Sequence, residues 1–356
     1  MSDKKTLLLV DGSSYLYRAF FAGGDNMSIT LPDGTVQKTG AIRIIINMMN
    51  SLRKEVHCDY AVCVFDAKGP TFRDEWYPQY KANRSPMPDD LRSQIEPIHQ
   101  VVGLLGWKVM AVPGVEADDV IGTLAVMAAR QGIEVVVSSG DKDLSQLVNE
   151  HITIIDTMNG KKRDVAGVTA EFGVPPHLMI DYQTLVGDTV DNVPGVPKVG
   201  PKTAAKWLQE YGSLDALVAR AAEIKGAVGE NLRGALGWLP QGRRLVTIRT
   251  DCDMTGHVDG LPAMDAIAMG AEDAVGLKSF YEKYGFKGLA KSVGGSGTNP
   301  VRAAPVEAFA TSEGQALRQA QGERGLFDEP ESPITAAPRT STLAYDTVLT
   351  WELFET

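Results

Sequence analysis

Four apolar runs punctuate the first half of the chain, and each leads into an acidic residue. Leu7–Val10 meets Asp11, Tyr60–Phe65 meets Asp66, and Ile152–Ile155 meets Asp156. Val135–Val137 leads through Ser138, Ser139 and Gly140 to Asp141. Unbroken apolar runs suit strands buried on both faces. Between them, Ala41–Glu55, Asp89–Leu105 and Ala117–Arg130 carry a helical pattern. Strands and helices in alternation predict an α/β domain around a mainly parallel central sheet flanked by helices. Ligands of such sheets bind beyond the carboxyl ends of the strands, where Asp11, Asp66 and Asp141 fall. After a turn at Pro113-Gly114, Glu116, Asp118 and Asp119 open a helix, a place the helix dipole favours for acids.

The pattern then changes. Residues 175–290 read as a smaller helical unit, and Ser292–Pro338 is rich in Gly, Ser, Ala, Pro, Gln and Glu with little periodicity, as a linker is. Leu343–Phe354 turns apolar again, like the first strand of a further domain that the chain does not complete. The predicted division is therefore 1–174 for the α/β core, with a mobile segment at 68–90; 175–290 for the helical unit; 291–340 for the linker; and 341–356 for the incomplete start of a following domain. A length of 356 residues accommodates about two domains.

Composition removes several classes of function. No apolar run approaches a membrane span, and Thr6–Val10 is too short for a signal-peptide core, so a cytoplasmic location is expected. Cys58, Cys63 and Cys252 have no disulfide or metal spacing, and the five histidines form no H-E-x-x-H, which argues against zinc chemistry. Taken alone, the net charge of −10 disfavours nucleic acid. From Arg302 onward, however, 4 basic and 9 acidic residues carry half of it. The deficit left to the body is smaller than the acids described next, so local patches matter more than the total.

Nine acids stand in short clusters: Asp11, Asp66, Glu116, Asp118, Asp119, Asp141, Asp143, Asp188 and Asp191. A lone Asp after a strand is usually a turn or cap residue. Asp188 and Asp191 are three apart and would share a helical face. Convergence on one sheet edge is the feature that chance does not readily supply. Two carboxylates about 5 Å apart repel by roughly 3 kcal/mol at an effective dielectric near 20. Hard divalent cations relieve that repulsion, and a pair of them is the usual apparatus for cutting phosphodiesters.

Two further stretches point to DNA. Val193–Leu208 contains Gly195, Lys198, Gly200, Lys202, Thr203 and Lys206 and no acid. It resembles a P-loop at a glance, but Pro201 intrudes before Lys202 and no buried strand precedes it. A helix-hairpin-helix element fits better, with a glycine turn and helix N-terminus offering N–H groups to a phosphate. Lys198 stands where that element often has glycine. In 72–91, Phe72, Trp76, Tyr77 and Tyr80 interleave with Arg73, Lys81 and Arg84, as in sites that stack bases and hold phosphates. Lys81 and Arg84, three apart, would share a helical face.

The chain resembles the 5′ nuclease domain of bacterial DNA polymerase I, a relative of flap endonucleases, over about residues 5–290. The strings that carry the resemblance include Leu9-Val-Asp11-Gly-Ser-Ser-Tyr-Leu-Tyr-Arg18, Tyr80-Lys-Ala-Asn-Arg84, Gly114-Val-Glu-Ala-Asp-Asp-Val-Ile-Gly-Thr-Leu124, Gly140-Asp-Lys-Asp143 and Gly187-Asp-Thr-Val-Asp-Asn-Val-Pro-Gly195. Leu343–Phe354 is similar to the opening of the next domain of that polymerase. The resemblance implies a PIN-like 5′ nuclease core with a helical arch over 68–90 and a helix-hairpin-helix subdomain. It implies two Mg²⁺ or Mn²⁺ ions, with K⁺ at the hairpin turn. Asp11, Asp66, Glu116 and Asp118 would hold one divalent ion. Asp141, Asp143 and Asp191 would hold the other, with Asp119 and Asp188 in support. Arg18, Lys81 and Arg84 would contact the scissile phosphate, and Tyr77 or Tyr80 would stack on a base. The implied partners are DNA with a 5′ flap, nick or branch, RNA primers, and polymerase domains in cis, for a monomer in the bacterial nucleoid. Other classes remain: a junction-binding module that does not cut, a ribonuclease of the same broad fold, and, least supported, a nucleotide-cofactor enzyme.

Overall fold

The protein is described by a computed structural model at residues 4–24, 26–157, 159–258 and 264–293. The strands of the α/β part are β1 (Thr6–Asp11), β2 (Ser28–Thr30), β3 (Val36–Lys38), β4 (Tyr60–Val64), β5 (Lys108–Met110), β6 (Glu134–Ser138), β7 (Ile152–Asp156) and β8 (Lys161–Arg163). Its first helices are α1 (Gly12–Ala19), α2 (Gly40–Glu55), α3 (Phe72–Trp76), α4 (Asp89–Arg92), α5 (Ile95–Leu104) and α6 (Ala117–Ala129). Six strands form one sheet in the order β5-β4-β1-β6-β7-β8, parallel except where β8 returns against β7. The four apolar runs are its four central strands, so the predicted α/β class and parallel sheet are observed.

The reason those runs are unbroken is visible in the packing. Along β1, Leu7 and Leu9 enter one core with Val62, Val135, Val137 and the α6 residues Val120, Ile121 and Leu124. Leu8 and Val10 enter the other, with Ile42, Ile45 and Ile46 of α2 and Ile98 and Val101 of α5. All four β1 residues are fully buried, each contributing roughly 1.5–3 kcal/mol. A sheet covered on both faces leaves its carboxyl edge as the open side.

Several elements differ from expectation. The helix expected over 89–105 is two, α4 and α5. The break falls at Gln94, which is buried and whose Oε1 accepts from the N–H groups of Ala41 and Ile42, meeting donors that the start of α2 leaves open. The hairpin β2–β3 and the polar strand β8 carry little apolar signal, β5 is only three residues long, and none of them is among the expected strands.

The remaining helices are α7 (Val165–Phe172), α8 (Met179–Val186), α9 (Pro201–Tyr211), α10 (Leu214–Ala219), α11 (Gly226–Ala235), α12 (Leu239–Val246), α13 (Ala274–Lys283) and α14 (Lys287–Ser292). Between α8 and α9 lies a small antiparallel pair, β9 (Gly187–Asp188) and β10 (Val193–Pro194). Here two glycines lie backbone to backbone. A Cβ on Gly187 (φ +78°) would sit 2.3 Å from Gly195 N, and one on Gly195 would sit 2.3 Å from the Val186 carbonyl carbon. Residues 274–286, expected with the helical unit, instead bury Leu277, Phe280, Tyr281 and Phe286 in the core beside α2 and α5. The expected linker 291–340 begins inside α14, and past Val293 it lies outside the described residues, as does 341–356. Among the described residues no helix is long and apolar enough to cross a membrane.

Candidate active site

The sheet delivers acids to one edge. Asp11 closes β1 and caps α1, its Oδ1 accepting from the Ser14 N–H at 2.9 Å and its Oδ2 from the Ser139 hydroxyl at 2.6 Å. Asp66, two residues past β4, accepts from the Ala117 N–H at 2.9 Å, which ties it to the start of α6. Glu116 is the N-cap of α6 and Asp118 lies in its first turn. Past β6, Asp141 Oδ1 accepts from the Asp143 N–H at 2.8 Å in a tight turn. Asp188 arrives on β9, and its Oδ1 accepts from the N–H groups of Val190 and Asp191.

A cavity of about 290 Å³ is lined by Asp11, Asp66, Glu116, Asp118, Asp141 and Asp191 together with Lys81 and Arg84. A smaller hollow of about 20 Å³ shares Glu116, Asp118 and Asp191 with it and adds Asp143 and Asp188. Eight of the nine predicted acids thus line two cavities with common walls. Burial pushes the Asp11 carboxyl up to about 6, and the nearby Asp141 and Asp66 add to the rise. Burial and then Asp141 push Asp143 up to about 8. Asp118 is held well above the carboxylate range by burial and by Asp141, Asp11 and Glu116.

Protein cations answer part of this charge. Lys81 Nζ donates to Glu116 Oε1 at 2.5 Å, Arg84 pairs with Asp191, and Lys142 bridges Asp143 and Asp188. Burial would raise Asp191, but Lys81 and Arg84 outweigh it and hold that carboxyl below its usual range. Among the described residues no three His, Cys, Asp or Glu side chains already enclose a metal position. The donor set nevertheless fits divalent cations. It consists of carboxylate oxygens, the ligands hard cations take, and Asp11, Asp118 and Asp143 remain short of positive charge.

Several predicted residues stand elsewhere than expected. Asp119 lines neither cavity. It is fully buried, and its two oxygens accept from Arg73 Nη1 and Nη2 and from the N–H groups of Glu116 and Arg249. Both of its oxygens are taken by these donors, behind the cavity wall, as suits the supporting place expected of it. Tyr80 is buried, and its hydroxyl donates to Glu116 and Asp191 at 3.0 and 2.9 Å, so its ring is not offered to a base. Tyr77 packs against Trp238 at 5.0 Å. Arg18 is absent from the cavity wall and pairs at 3.1 Å with Asp156, the last residue of β7. Neither i,i+3 pair is helical: Asp188 and Asp191 flank a turn, and Lys81 takes φ +55° in a turn that runs to Arg84. That turn is fastened to the acid-bearing one, with Lys81 N–H donating to Asp191 O and Asn192 Nδ2 to Gln79 O.

The glycine turn is formed. Gly200 caps α9, Pro201 starts it, and Lys198, Lys202 and Lys206 are exposed around it, with Thr203 half-buried. Gly195 is held against Val186 as above, and Lys198 adopts φ +63°, the left-handed conformation its glycine-like position demands. Sequence reasoning missed Arg73, Ser139 and Lys142. Lys142 had a signal, lying between Asp141 and Asp143. Arg73 had none that separated it from exposed basic neighbours.

Two family models match the chain: 5′-3′ exonuclease, N-terminal resolvase-like domain, over residues 6–173, and 5′-3′ exonuclease, C-terminal SAM fold, over 174–267. DNA polymerase I of Pseudomonas aeruginosa is 48% identical over 72% of this chain and 28% of its own length. The 5′-3′ exonuclease of Aquifex aeolicus is 44% identical over 59% of this chain and 71% of its own. The chain spans less than a third of the length of the first polymerase relatives it matches. Among solved structures, bacteriophage T5 5′-exonuclease with divalent zinc ions bound superposes with a TM-score of 0.59 at 20% identity, covering 80% of this chain and 100% of that one. The catalytic core of Rad2 in complex with DNA substrate gives 0.55 at 17% identity, covering 81% and 91%. At these identities the superpositions show a common fold.

Proposed function

Because this chain belongs to the 5′-3′ exonuclease family, we propose that it hydrolyses phosphodiesters in DNA at 5′ flaps and at 5′ ends beside nicks, RNA primer segments included. The observation that carries the reading is the gathering of eight carboxylates around cavities that also expose Lys81 and Arg84. Asp11, Asp66, Glu116 and Asp118 would hold one Mg²⁺ or Mn²⁺, and Asp141, Asp143 and Asp191 the other, with Asp188 in support. The chemistry so supplied is a water of lowered pKa and neutralisation of charge on the phosphate.

The protein's own groups do the rest. Lys81 and Arg84 line the cavity beside the acids and would donate to the phosphate oxygens as charge builds on them. Ser139 holds Asp11 by one oxygen and fixes its rotamer. The exposed Lys198, Lys202 and Lys206 around the α9 N-terminus would hold duplex phosphates, with K⁺ at the turn. Recognition is then by shape, since phosphate contacts carry no sequence information. A polymerase region in cis, which the relatives named DNA polymerase I support, completes the proposal together with a monomeric state and a place in the bacterial nucleoid.

The test is a 5′-labelled flap on a nicked duplex, incubated with Mg²⁺ or with EDTA. Cleavage near the junction in Mg²⁺ alone is expected. Tight binding without cleavage would replace the nuclease with a junction-binding module.

A further inference from the structure

We propose that Arg73 is a positioning residue for this site: it sets Glu116 for metal binding and clamps the end of α12 to the carboxylate edge, without touching DNA or metal. The inference rests on the nuclease reading. Arg73 is 2% exposed, at the base of the 68–90 segment. A guanidinium has five N–H donors in a planar fork, and here each has an acceptor. Nε donates to Leu245 O at 2.9 Å. Nη1 donates to Asp119 Oδ2 at 2.6 Å and to Glu116 Oε2 at 3.2 Å. Nη2 donates to Asp119 Oδ1 at 2.8 Å and to Thr247 O at 2.9 Å.

The acceptors come from two places in the chain, 116–119 and 245–247. Leu245 and Thr247 lie at the carboxyl end of α12, where the helix dipole attracts a cation. Asp119 and Glu116 open α6. Asp119 extends the clamp by accepting from Arg249 N–H at 2.9 Å. One turn along α6, Gly122 admits the same segment: a Cβ there would lie 2.6 Å from Ile248 Cγ2. Glu116 shows the consequence for chemistry. Its Oε2 is occupied by Arg73 and Tyr80, whereas Oε1 meets Lys81 on the cavity wall. The clamp therefore decides which oxygen faces the cavity. Lysine, a point charge with three donors, cannot replace a fork holding five acceptors.

The test compares the wild type with Arg73→Lys and with the isosteric Asp119→Asn. Mg²⁺ binding is titrated without DNA by calorimetry, alongside kcat and KM on the flap and the melting temperature. In both variants we expect the Mg²⁺ half-saturation to rise and kcat at limiting metal to fall by about 10–100-fold, with KM for DNA within about two-fold. Adding Arg73→Lys to Glu116→Gln should leave Mg²⁺ affinity where Glu116→Gln alone puts it, because Arg73 acts through Glu116. A lower melting temperature with wild-type Mg²⁺ binding and kcat would make the clamp merely structural and overturn the proposal. A raised KM with unchanged kcat would overturn it in favour of a DNA contact. Should Arg73→Lys fail to fold, Asp119→Asn decides by the same readouts. If the wild type itself does not cleave, the nuclease reading falls, and the DNA-free Mg²⁺ titration still judges the clamp.

Discussion

The clamp around Arg73 and the cavity around Asp11 are both buried, acidic and fed by the same turn of α6, yet they treat charge in opposite ways. In the clamp, Asp119 is matched by a guanidinium and two backbone N–H groups. In the cavity, Asp118, one residue earlier, meets other acids, and burial leaves its carboxyl well above the ordinary range. A buried guanidinium and backbone N–H groups that take both oxygens make an acid part of the scaffold. An acid without them is open to a cation from solution. Neighbours in sequence can therefore serve structure and chemistry separately.

The sharpest way to break this contrast is to remove a cavity acid. Asp141→Asn should cost more than the ~100-fold typical of a supporting residue in cleavage while leaving DNA binding intact. Full activity in a flap assay would sink the assignment. Next come the adjacent acids, substituted in the presence of EDTA. Asp119→Asn takes from a buried arginine its bidentate counter-charge, leaving only Glu116 at 3.2 Å, and should destabilise the fold by on the order of 3 kcal/mol. Asp118→Asn removes a carboxylate that folding must desolvate against other acids and should raise the melting temperature. Thermal melts reading the same sign for both would erase the distinction.

A gentler probe is pH. In the folded chain Asp11 titrates near 6 and Asp143 near 8, both raised from 3.8 mainly by burial. Raised carboxyl pKa values mean that the folded state binds protons first. The stability they contribute is complete below the unfolded value and is lost as pH rises through 6 and 8. Metal-free protein should therefore melt higher at pH about 6 than at pH about 8, and saturating Mg²⁺ should flatten the slope. A slope of the same size with Mg²⁺ would mean that cations do not enter the cavity. The smallest effect is expected for an exposed charge that belongs to neither region. Lys202→Ala should weaken duplex binding modestly and reduce the salt slope by about one. An unchanged slope in a salt titration would take the α9 turn out of the DNA interface.

Much of the scaffold was legible because burial on both faces of a sheet imposes unbroken apolar runs, and the acids stood at their ends. The sheet and hairpin strands that escaped, β2, β3, β5 and β8, are three residues each and, β5 apart, largely polar, so they have no such signature. Gln94 splits a helix through a side chain that serves a different helix, which no local pattern announces. At the site, spacing identified the acids but not their fates. Asp118 and Asp119 look alike in a string of letters, and only the partner contributed from position 73 separates them. Tyr80 and Arg73 sat in a run that resembled an exposed nucleic-acid grip, and both are buried. Their partners lie 35 or more residues away in the chain, beyond the reach of periodicity.

The backbone contact between Gly187 and Gly195 has a consequence for where the proposed enzyme cuts. Asp188 and Asp191 stand just after one glycine, and Lys198 and Gly200 just after the other. With no side chain to act as a spacer, the two stretches are stapled into one short lever. On the nuclease reading, the part that holds the duplex and the part that helps sever the strand move as a single piece. Such a tool keeps a constant stride: it cuts at a set number of nucleotides from its grip, whatever the bases between.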